Sequence, residues 1–266
     1  MLSSILLKTL RDQRRSLTWW ALGLVALAIV TMLFYPSLQD SPAFDQMAKE
    51  MPEALMRAFW GDIADFTSPA GFLNRQLFVL VVPLLFMVLA VSRGSGAIAG
   101  EEEKGTLDLL LSSPVRRRRI LTEKFAAMVA AIAAVGVVLW LGMVVGAMLV
   151  DMDISVWRIG EATLSGALLG LTFGAVALAV GSATGKRGLS MGVTSALGVT
   201  AYFVNALAPL VESIAGLQKL SPFYYYIGGD PLTNGLNLAH GGVLIALTAV
   251  AVAVALVAFE RRDIAV

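Results

Sequence analysis

The chain has 266 residues, of which 58% are hydrophobic and 15% are charged, and its formal net charge is +1. An ordinary soluble domain is about 45–50% apolar and about 25% charged, so the composition excludes a soluble globular protein, and the near-zero charge gives no argument for nucleic acid. The absence of cysteine and the single histidine exclude disulfides and thiolate catalysis, and make an all-protein metal site improbable.

Six apolar runs are long enough to cross about 30 Å of hydrocarbon as helices that rise about 1.5 Å per residue. We predict spans near residues 17–35, 77–99, 120–150, 162–183, 189–211 and 241–259. Pro83 in the second run and Pro209 near the end of the fifth should kink or end helices. No repeat or linker divides the chain. The sequence therefore predicts an all-α, polytopic helical membrane protein with six transmembrane helices in one transmembrane domain, residues 1–266.

The first residues of the chain have an amphipathic pattern. Apolar residues recur at helical spacing on one face, opposite four basic residues. The basic residues are Lys8, Arg11, Arg14 and Arg15. The pattern predicts an N-terminal amphipathic interfacial helix on the cytoplasmic surface. Two roles stay open for it, which are an anchor to anionic membrane lipids and an element that transmits motion.

Two longer outer segments are predicted, at residues 41–71 and 212–240. The first has apolar residues at three- and four-residue steps, so it should cap the outer face or lie in the interface. The second contains Tyr224, Tyr225 and Tyr226. We interpret these tyrosines as residues at headgroup depth, with a substrate contact as the alternative.

The longest cytoplasmic loop, between the second and third spans, is far more charged than the spans around it. Glu101–Glu103 fall where the N-terminus of a helix favours negative charge. Leu107, Leu110 and Leu111 form one apolar stripe, and Ser113-Pro114 has the residue types that start a helix. The pattern predicts a short amphipathic helix across the cytoplasmic mouth.

At this loop the sequence resembles the permease subunits of type-2 ATP-binding cassette (ABC) exporters. Their loop has a glutamate, then Gly-Thr-Leu, a leucine-rich turn, Ser-Pro and one or two basic residues. The matching residues are Glu103, Gly105, Thr106, Leu107, Leu110, Leu111, Ser113, Pro114, Val115 and Arg116. The basic N-terminus, the Ser-Pro-Phe-Tyr-Tyr stretch at Ser221 and the Arg-Arg-Asp at Asp263 extend the resemblance over the whole chain.

The resemblance implies that the loop is a coupling helix, which docks into a cytoplasmic ATPase subunit and passes its closure to the spans. The residues expected to couple are Glu101, Glu102, Glu103, Gly105, Thr106, Leu107, Leu110, Leu111, Pro114 and Arg116. It also implies two ATPase subunits that bind ATP and magnesium, a second permease, identical or related, and no cofactor on this chain. We expect export of an amphipathic or lipid-like compound or drug. A membrane scaffold or assembly factor without a transport cycle is the alternative.

Lysines and arginines are distributed unevenly between the two sides. Fifteen lie on the side of the termini and five on the other, which places both termini in the cytoplasm. Together with the family resemblance, this leads us to expect a multi-pass protein of the cell membrane, in particular a bacterial cytoplasmic membrane. An even number of spans independently requires the termini to share a side. We interpret Arg117–Arg119 as residues that only set this topology, and Arg93 and Glu161 as residues near span ends that reach the interface.

The sequence has no complete ATPase phosphate loop and no zinc-protease motif. The nearest match to an ATPase phosphate loop, residues 181–187, is one residue too short and has Arg187 where the magnesium ligand belongs, so we interpret it as a tight cytoplasmic turn. The chain has no HExxH motif, since it has a single histidine. We therefore predict a non-catalytic subunit with no metal site.

Small and polar residues within the spans indicate helix packing. Gly166, Gly170 and Gly174 recur at four-residue steps in the fourth span, which permits close helix approach. We interpret this as packing within one subunit, with a dimer interface as the alternative. Asn205 in the fifth span is expected to form a helix-to-helix hydrogen bond rather than to bind substrate. No residue is assigned to substrate binding.

Overall fold

Apolar runs in hydrocarbon fold as helices because a helix satisfies its backbone polar groups within one segment. The computed structural model describes residues 5–39, 68–107, 115–210 and 212–262. Six helical segments in these ranges are long and apolar enough to span a membrane. They are Ile5–Ser37, Pro69–Ala97, Arg117–Leu149, Val156–Thr184, Arg187–Leu210 and Leu238–Arg261. The prediction of an all-α protein with six spans is confirmed.

Some of these segments consist of more than one helix. The elements in chain order are α1 (Ile5–Leu33), α2 (Tyr35–Gln39), α3 (Pro69–Leu73), a π-helical turn (Asn74–Phe78), α4 (Val81–Ala97), α5 (Ala99–Glu103), α6 (Arg117–Leu149), α7 (Val156–Thr184), α8 (Arg187–Leu207), two 3₁₀ segments (Ala208–Leu210 and Glu212–Leu220), α9 (Pro222–Ile227) and α10 (Leu238–Arg261).

The basic N-terminal residues do not form a separate helix. They belong to α1, which runs from Ile5 to Leu33 without interruption and continues into the first span. No proline separates the two parts, so nothing in the sequence forces the helix to stop. The predicted helix is present, but its predicted boundary with the first span is not.

Both prolines that were predicted to disturb helices do so. The second span is interrupted between the π-helical turn and α4, so Pro83 lies in the first turn of α4, where a missing N–H removes no intrahelical hydrogen bond. Helix α8 ends at Leu207, and Pro209 lies in the 3₁₀ segment that follows.

Helix α7 is the centre of the bundle and packs mainly against α4 and α10. A Cβ atom built at Gly170 would lie 2.9 Å from Phe86 Cβ. One built at Gly174 would lie 2.9 Å from Ala90 Cβ. On α4, a Cβ at Gly94 would overlap the carbonyl oxygen of Gly174. The glycines therefore allow the α4 and α7 backbones to approach closely within one subunit.

Helix α1 packs along α6 at the side of the bundle. Two glycines of α6 make room for it: a Cβ at Gly142 would lie 2.6 Å from Val25 Cγ1, and one at Gly146 would lie 2.6 Å from Met32 Sδ. Because α1 rests mainly on α6, clefts remain between α1 and α4.

The predicted outer segments are only partly described. Of residues 41–71, the structure describes 68–71. The tyrosines lie on α9, where Tyr224 and Tyr225 each contact the His240 ring at a centroid distance of 5.5 Å. Tyr226 is buried in the protein and its Oη donates to the carbonyl oxygen of Phe78 at 2.6 Å. Tyr226 therefore does not face lipid as a residue of an aromatic belt would, because its hydroxyl finds its partner inside the bundle.

Candidate functional site

One end of the bundle collects most of the charged side chains, and we call it the charged end. Both ends of the described chain lie there. Glu123 of α6 accepts hydrogen bonds from the backbone N–H groups of Ile5 at 2.7 Å and Leu6 at 3.2 Å. Arg117 Nη1, at the start of α6, donates to the carbonyl oxygen of Arg262 at 2.9 Å. The charge distribution predicts that this end is cytoplasmic.

Three consecutive glutamates on α5 contact three different parts of the bundle. Successive residues of a helix point about 100° apart, so neighbouring side chains reach different neighbours. Glu101 contacts α6, Glu102 contacts the residue that follows α10, and Glu103 contacts the first residue of α8. The segment that follows the second span is therefore linked to the third, fifth and sixth spans.

Glu101 forms the most buried of these contacts. Its Oε1 accepts from Lys124 Nζ at 2.6 Å, and the Lys124 side chain is only 8% exposed. Its Oε2 accepts from Thr106 Oγ1 at 2.5 Å. Burial raises the pKa of the Glu101 carboxyl, but the hydrogen bonds and charge of Lys124, with the Thr106 hydroxyl, outweigh burial and hold the pKa below its ordinary value.

Glu102 pairs with Arg262, whose Nη1 also donates to the carbonyl oxygen of Ser182 at 3.1 Å. The guanidinium therefore connects α5 with the end of α7. Gly185, which follows α7, has a φ of +67° and lies directly against this ion pair. A side chain at Gly185 would be strained by its backbone and would collide with both partners.

Glu103 accepts a hydrogen bond from the backbone N–H of Arg187 at 2.8 Å. Arg187 is the first residue of α8, so the carboxylate lies at a helix N-terminus, where free N–H groups and the helix dipole favour negative charge. The turn between α7 and α8 is tight, as predicted, because residues 181–184 still belong to α7 and only Gly185 and Lys186 lie between the two helices.

The pattern of the loop predicts one short amphipathic helix, but Glu101–Glu103 and Leu107 do not lie on one continuous helix. Helix α5 ends at Glu103, and Gly105 adopts a φ of +66°, which favours glycine. Leu107 is then 1% exposed and lies in an apolar cluster with Ile98 and Phe259. Leu107 thus fixes the loop to α10 as well as to the end of α4. Leu110, Leu111, Ser113 and Pro114 lie outside the described residues.

The start of the third span differs from the prediction. Helix α6 begins at Arg117, and Arg116 is its N-cap residue with extended backbone, so the prediction that Ser113-Pro114 begins this helix is wrong. Val115, which precedes this N-cap, packs against the apolar cluster of Leu107. The side chain of Arg116 is exposed.

Arg117–Arg119 do more than set topology. Arg117 contacts the carbonyl oxygens of Phe259 and Arg262 and lies 5.8 Å from the centre of the Phe259 ring. Arg118 pairs with Glu260 in α10, and Arg119 pairs with Glu123 at 2.8 Å. The interpretation as mere topology signals was wrong because the arginines bridge α6 to α10 and support the carboxylate that caps α1.

The remaining sequence-predicted residues lie elsewhere. Lys8, Arg11, Arg14 and Arg15 are exposed on α1. Gly166 belongs to the same α4–α7 contact as Gly170 and Gly174. A Cβ built at Gly166 would lie 3.4 Å from Val82 Cγ1. Asn205 Oδ1 accepts from Gln218 Nε2 at 3.3 Å, so its partner belongs to a 3₁₀ segment and not to a neighbouring span.

Sequence reasoning missed several residues of the charged end. Lys124, Arg187 and Arg262 were counted only as positive charges of one side, and Glu123 was not assigned a role. A charge periodicity could have indicated Lys124, since it lies one heptad after Arg117 and hence on the same face of α6. Nothing in the sequence alone identifies which glutamate each cation meets.

The Glu101–Lys124 contact leads to a pH-dependent prediction. Because its folded-state pKa is lowered, ionised Glu101 stabilises the fold above the unfolded-state pKa, and this contribution is lost as the pH falls through the folded-state value. Glu101→Gln should destabilise the protein by roughly 2 kcal/mol at pH 7. Thermal unfolding in detergent, followed by tryptophan fluorescence, measures the difference, which should shrink below about pH 4.

Glu161→Gln is a matched control. Glu161 pairs with Arg158 at 3.4 Å, and both side chains are more than one third exposed, so its loss should cost less than about 1 kcal/mol. If the free energies of unfolding of wild type and Glu101→Gln differed by the same amount from pH 7 to pH 3, the carboxylate charge of Glu101 would not stabilise this end.

Comparisons with known proteins agree with this architecture. The profile of the family described as "ABC-2 family transporter protein" matches residues 3–264. The chain is 33% identical to the probable ABC transporter permease protein NosY of Pseudomonas aeruginosa over 199 residues, 68% of this chain and 67% of that protein. It is 33% identical to the protein of the same description from Stutzerimonas stutzeri over 140 residues, 48% of this chain and 46% of that protein. The chain belongs to the ABC-2 family of transporter proteins and is a permease subunit of an ABC transporter.

Proposed function

We propose that this permease forms half of the substrate pathway of an ATP-driven exporter, and that residues 101–116 couple it to a separate ATPase subunit. The observation that carries the proposal is the set of three glutamate contacts at the charged end, which link one loop to three other spans. In this proposal the charged end faces the cytoplasm of a bacterial cell, ATP and magnesium bind to the ATPase, and this chain has no catalytic residue.

The contacts suit the transmission of force. A partner that displaces the loop moves α4 directly, because α5 continues from its end. It also displaces α6 through Glu101, α10 through Glu102 and α8 through Glu103. Buried Leu107 resists separation of the loop from this end of the bundle. A rigid element with several attachments can therefore reorient packed helices together instead of bending one of them.

The proposed docking surface is the exposed side of the same loop. Glu103, Lys104, Gly105 and Arg116 are exposed, and they lie on either side of the segment that contains Leu110, Leu111 and Pro114. Mixed charge on an exposed rim favours correct orientation and rapid association of two proteins. We assign this surface to the ATPase.

Helix α8 supports the presence of a second permease. Its span has the lowest mean hydropathy of the six, 1.4, although only 17% of that span is buried within the chain. The span of α10 is similarly exposed, with 22% buried, but has a mean hydropathy of 2.7, as expected for a lipid-facing helix. Gly192, Ser195 and Thr200 lie on the exposed part of α8. We propose that this face meets a second permease, identical or related, along the pathway.

An amphipathic or lipid-like solute or drug is the proposed cargo. A groove of about 350 Å³ opens between α6 and α7, and its walls are almost wholly apolar. Trp140 and Trp157 line it, and Glu161 is its single charged residue. Such a groove favours an apolar body with one polar group over a small ion or a sugar.

Charge reversal at Arg116 tests the docking surface. Arg116→Glu should reduce co-purification of the ATPase from native membranes in mild detergent by about tenfold, because it replaces a positive charge at the interface with a negative one. The variant should fold, since a carboxylate is favourable at the N-cap of α6. The amount of ATPase recovered per permease is the measurement.

Lys219→Glu provides the control, because Lys219 is exposed at the opposite end of the bundle. It should leave the recovery of ATPase unchanged. The coupling proposal is wrong if wild-type permease is recovered without an ATPase, or if Arg116→Glu retains the ATPase at the wild-type level.

Disulfide cross-linking tests the second permease. The chain has no cysteine, so a single introduced cysteine reports one site. Ser195→Cys on α8 should form a disulfide-linked dimer in membranes if the partner is a second copy, whereas Val254→Cys on the lipid-facing side of α10 should not. Equal cross-linking at both positions, or a dimer only through Val254→Cys, would contradict the proposed interface.

A further inference from the structure

A basic cavity lies between α1 and the second span at the charged end. It has a volume of about 310 Å³ and is lined by five basic residues and two acidic residues. The basic residues are Lys8, Arg93, Lys104, Lys124 and Arg187, and the acidic residues are Asp12 and Glu101. Since Lys124 and Glu101 form an ion pair, the other residues leave an excess of three positive charges.

Two guanidinium groups in this cavity have no counter-charge. Neither Arg93 nor Arg187 forms an ion pair within the described ranges, and the Nε of each is buried without a hydrogen-bond partner. Arg93 makes one hydrogen bond, from Nη2 to Ser16 Oγ at 2.8 Å. Half-buried cations that remain unpaired are unfavourable, and an anion with several acceptor oxygens would satisfy both.

The path of Arg187 shows how the second guanidinium reaches the cavity. A Cβ built at Gly100 would lie 3.5 Å from Arg187 Cδ, and one at Gly96 would lie 3.9 Å from its Nε. The side chain of Arg187 therefore runs from the start of α8 across the two glycines at the end of the second span. Larger residues at Gly96 and Gly100 would restrict this path.

An apolar groove lies farther along the same pair of helices. It has a volume of about 350 Å³ and is lined by Trp19, Trp20, Gly23 and Leu24 of α1 and by Leu85 of α4. At about 1.5 Å per residue, its walls lie roughly 9–17 Å from Gln13 along α1 and roughly 12 Å from Arg93 along α4. This separation carries the groove past the headgroup layer into the hydrocarbon region. Tryptophans are typical of that boundary.

We propose that an anionic phospholipid binds between α1 and α4, with its phosphate on Arg93 and Arg187 and an acyl chain in the groove beside Gly23. The combination of a basic cavity with an apolar groove on one helix pair distinguishes a lipid from a soluble anion. Basic pockets between transmembrane helices bind anionic headgroups for the same physical reason. The lipid would hold α1 beside the Glu101–Lys124 contact.

Native mass spectrometry of the full chain in detergent tests the proposal with phosphatidylglycerol and, as the zwitterionic comparison, phosphatidylcholine of the same acyl chains. Wild type should retain phosphatidylglycerol more tightly. Arg93→Gln/Arg187→Gln should weaken this binding by more than about tenfold, since each basic residue near an anionic surface contributes roughly fivefold. Arg93→Lys/Arg187→Lys, which keeps the charges, should retain most of the binding and also controls for folding.

Gly23→Leu tests the groove separately from the charges. A Cβ at Gly23 meets nothing within 4 Å, so the larger side chain fits the fold but fills the groove. It should weaken phosphatidylglycerol binding. Gly242→Leu is the matched control, because a Cβ at Gly242 also meets nothing within 4 Å and Gly242 lies on α10, away from the groove.

Several results would overturn the proposal. If Arg93→Gln/Arg187→Gln bound phosphatidylglycerol as tightly as wild type, the two arginines would not be the phosphate site. If Gly23→Leu did so, the groove would not be the acyl-chain site. Binding of inorganic phosphate that displaces no lipid would identify a soluble-anion site instead. A disulfide-linked dimer through Trp19→Cys would show that a second copy occupies the groove.

Discussion

The ammonium group of Lys124 is buried beside the second span, with 8% of the side chain exposed, and a cation in such a position is stable only next to an anion. Glu101 supplies that anion. The requirement fixes α5 against α6, and the helix geometry of α5 then directs Glu102 and Glu103 towards α10 and α8. The contact therefore helps to hold α5 in the orientation in which the other two glutamates reach their partners.

The centre of the bundle is constrained differently. Where α7 crosses α4, the backbones approach so closely that a side chain at Gly94, Gly170 or Gly174 would collide with the opposite helix. Close packing of this kind is stiff, since no side chain lies between the helices to rearrange. The protein thus combines a tight central contact with polar contacts at one end, and we infer that force applied to the loop turns packed helices as a unit.

Much of the fold follows from the sequence because membrane insertion depends on length and hydropathy. The six spans, the break before Pro83, the end of α8 before Pro209 and the turn after α7 follow from local rules. The sequence also indicates that residues 101–107 have a specific role, because three consecutive glutamates are not needed merely to connect two spans.

The pairwise contacts could not be predicted, since they depend on which helix ends lie side by side. Glu102 and Arg262 are separated by 160 residues, and no local pattern joins them. The start of α6 at Arg117 was missed because Ser113-Pro114 has the residue types of a helix start, whereas Arg116, an unusual N-cap residue, precedes α6 in the structure. The unbroken α1 was missed because a change from a basic to an apolar pattern was interpreted as a boundary, although helix propensity continues through it.

The central claim is that the loop and the spans it contacts move together. Spin labels on cysteines introduced at the exposed residues Lys104 and Lys186 report the distance from the loop to the start of α8 by double electron–electron resonance, in the complex with its ATPase. On addition of ATP and vanadate, the distance between Lys104 and Lys186 within one copy should change by less than about 2 Å. The distance between the Lys186 positions of two copies should change by more than that. A loop that shifts relative to Lys186 while the two copies keep their separation would contradict the central claim.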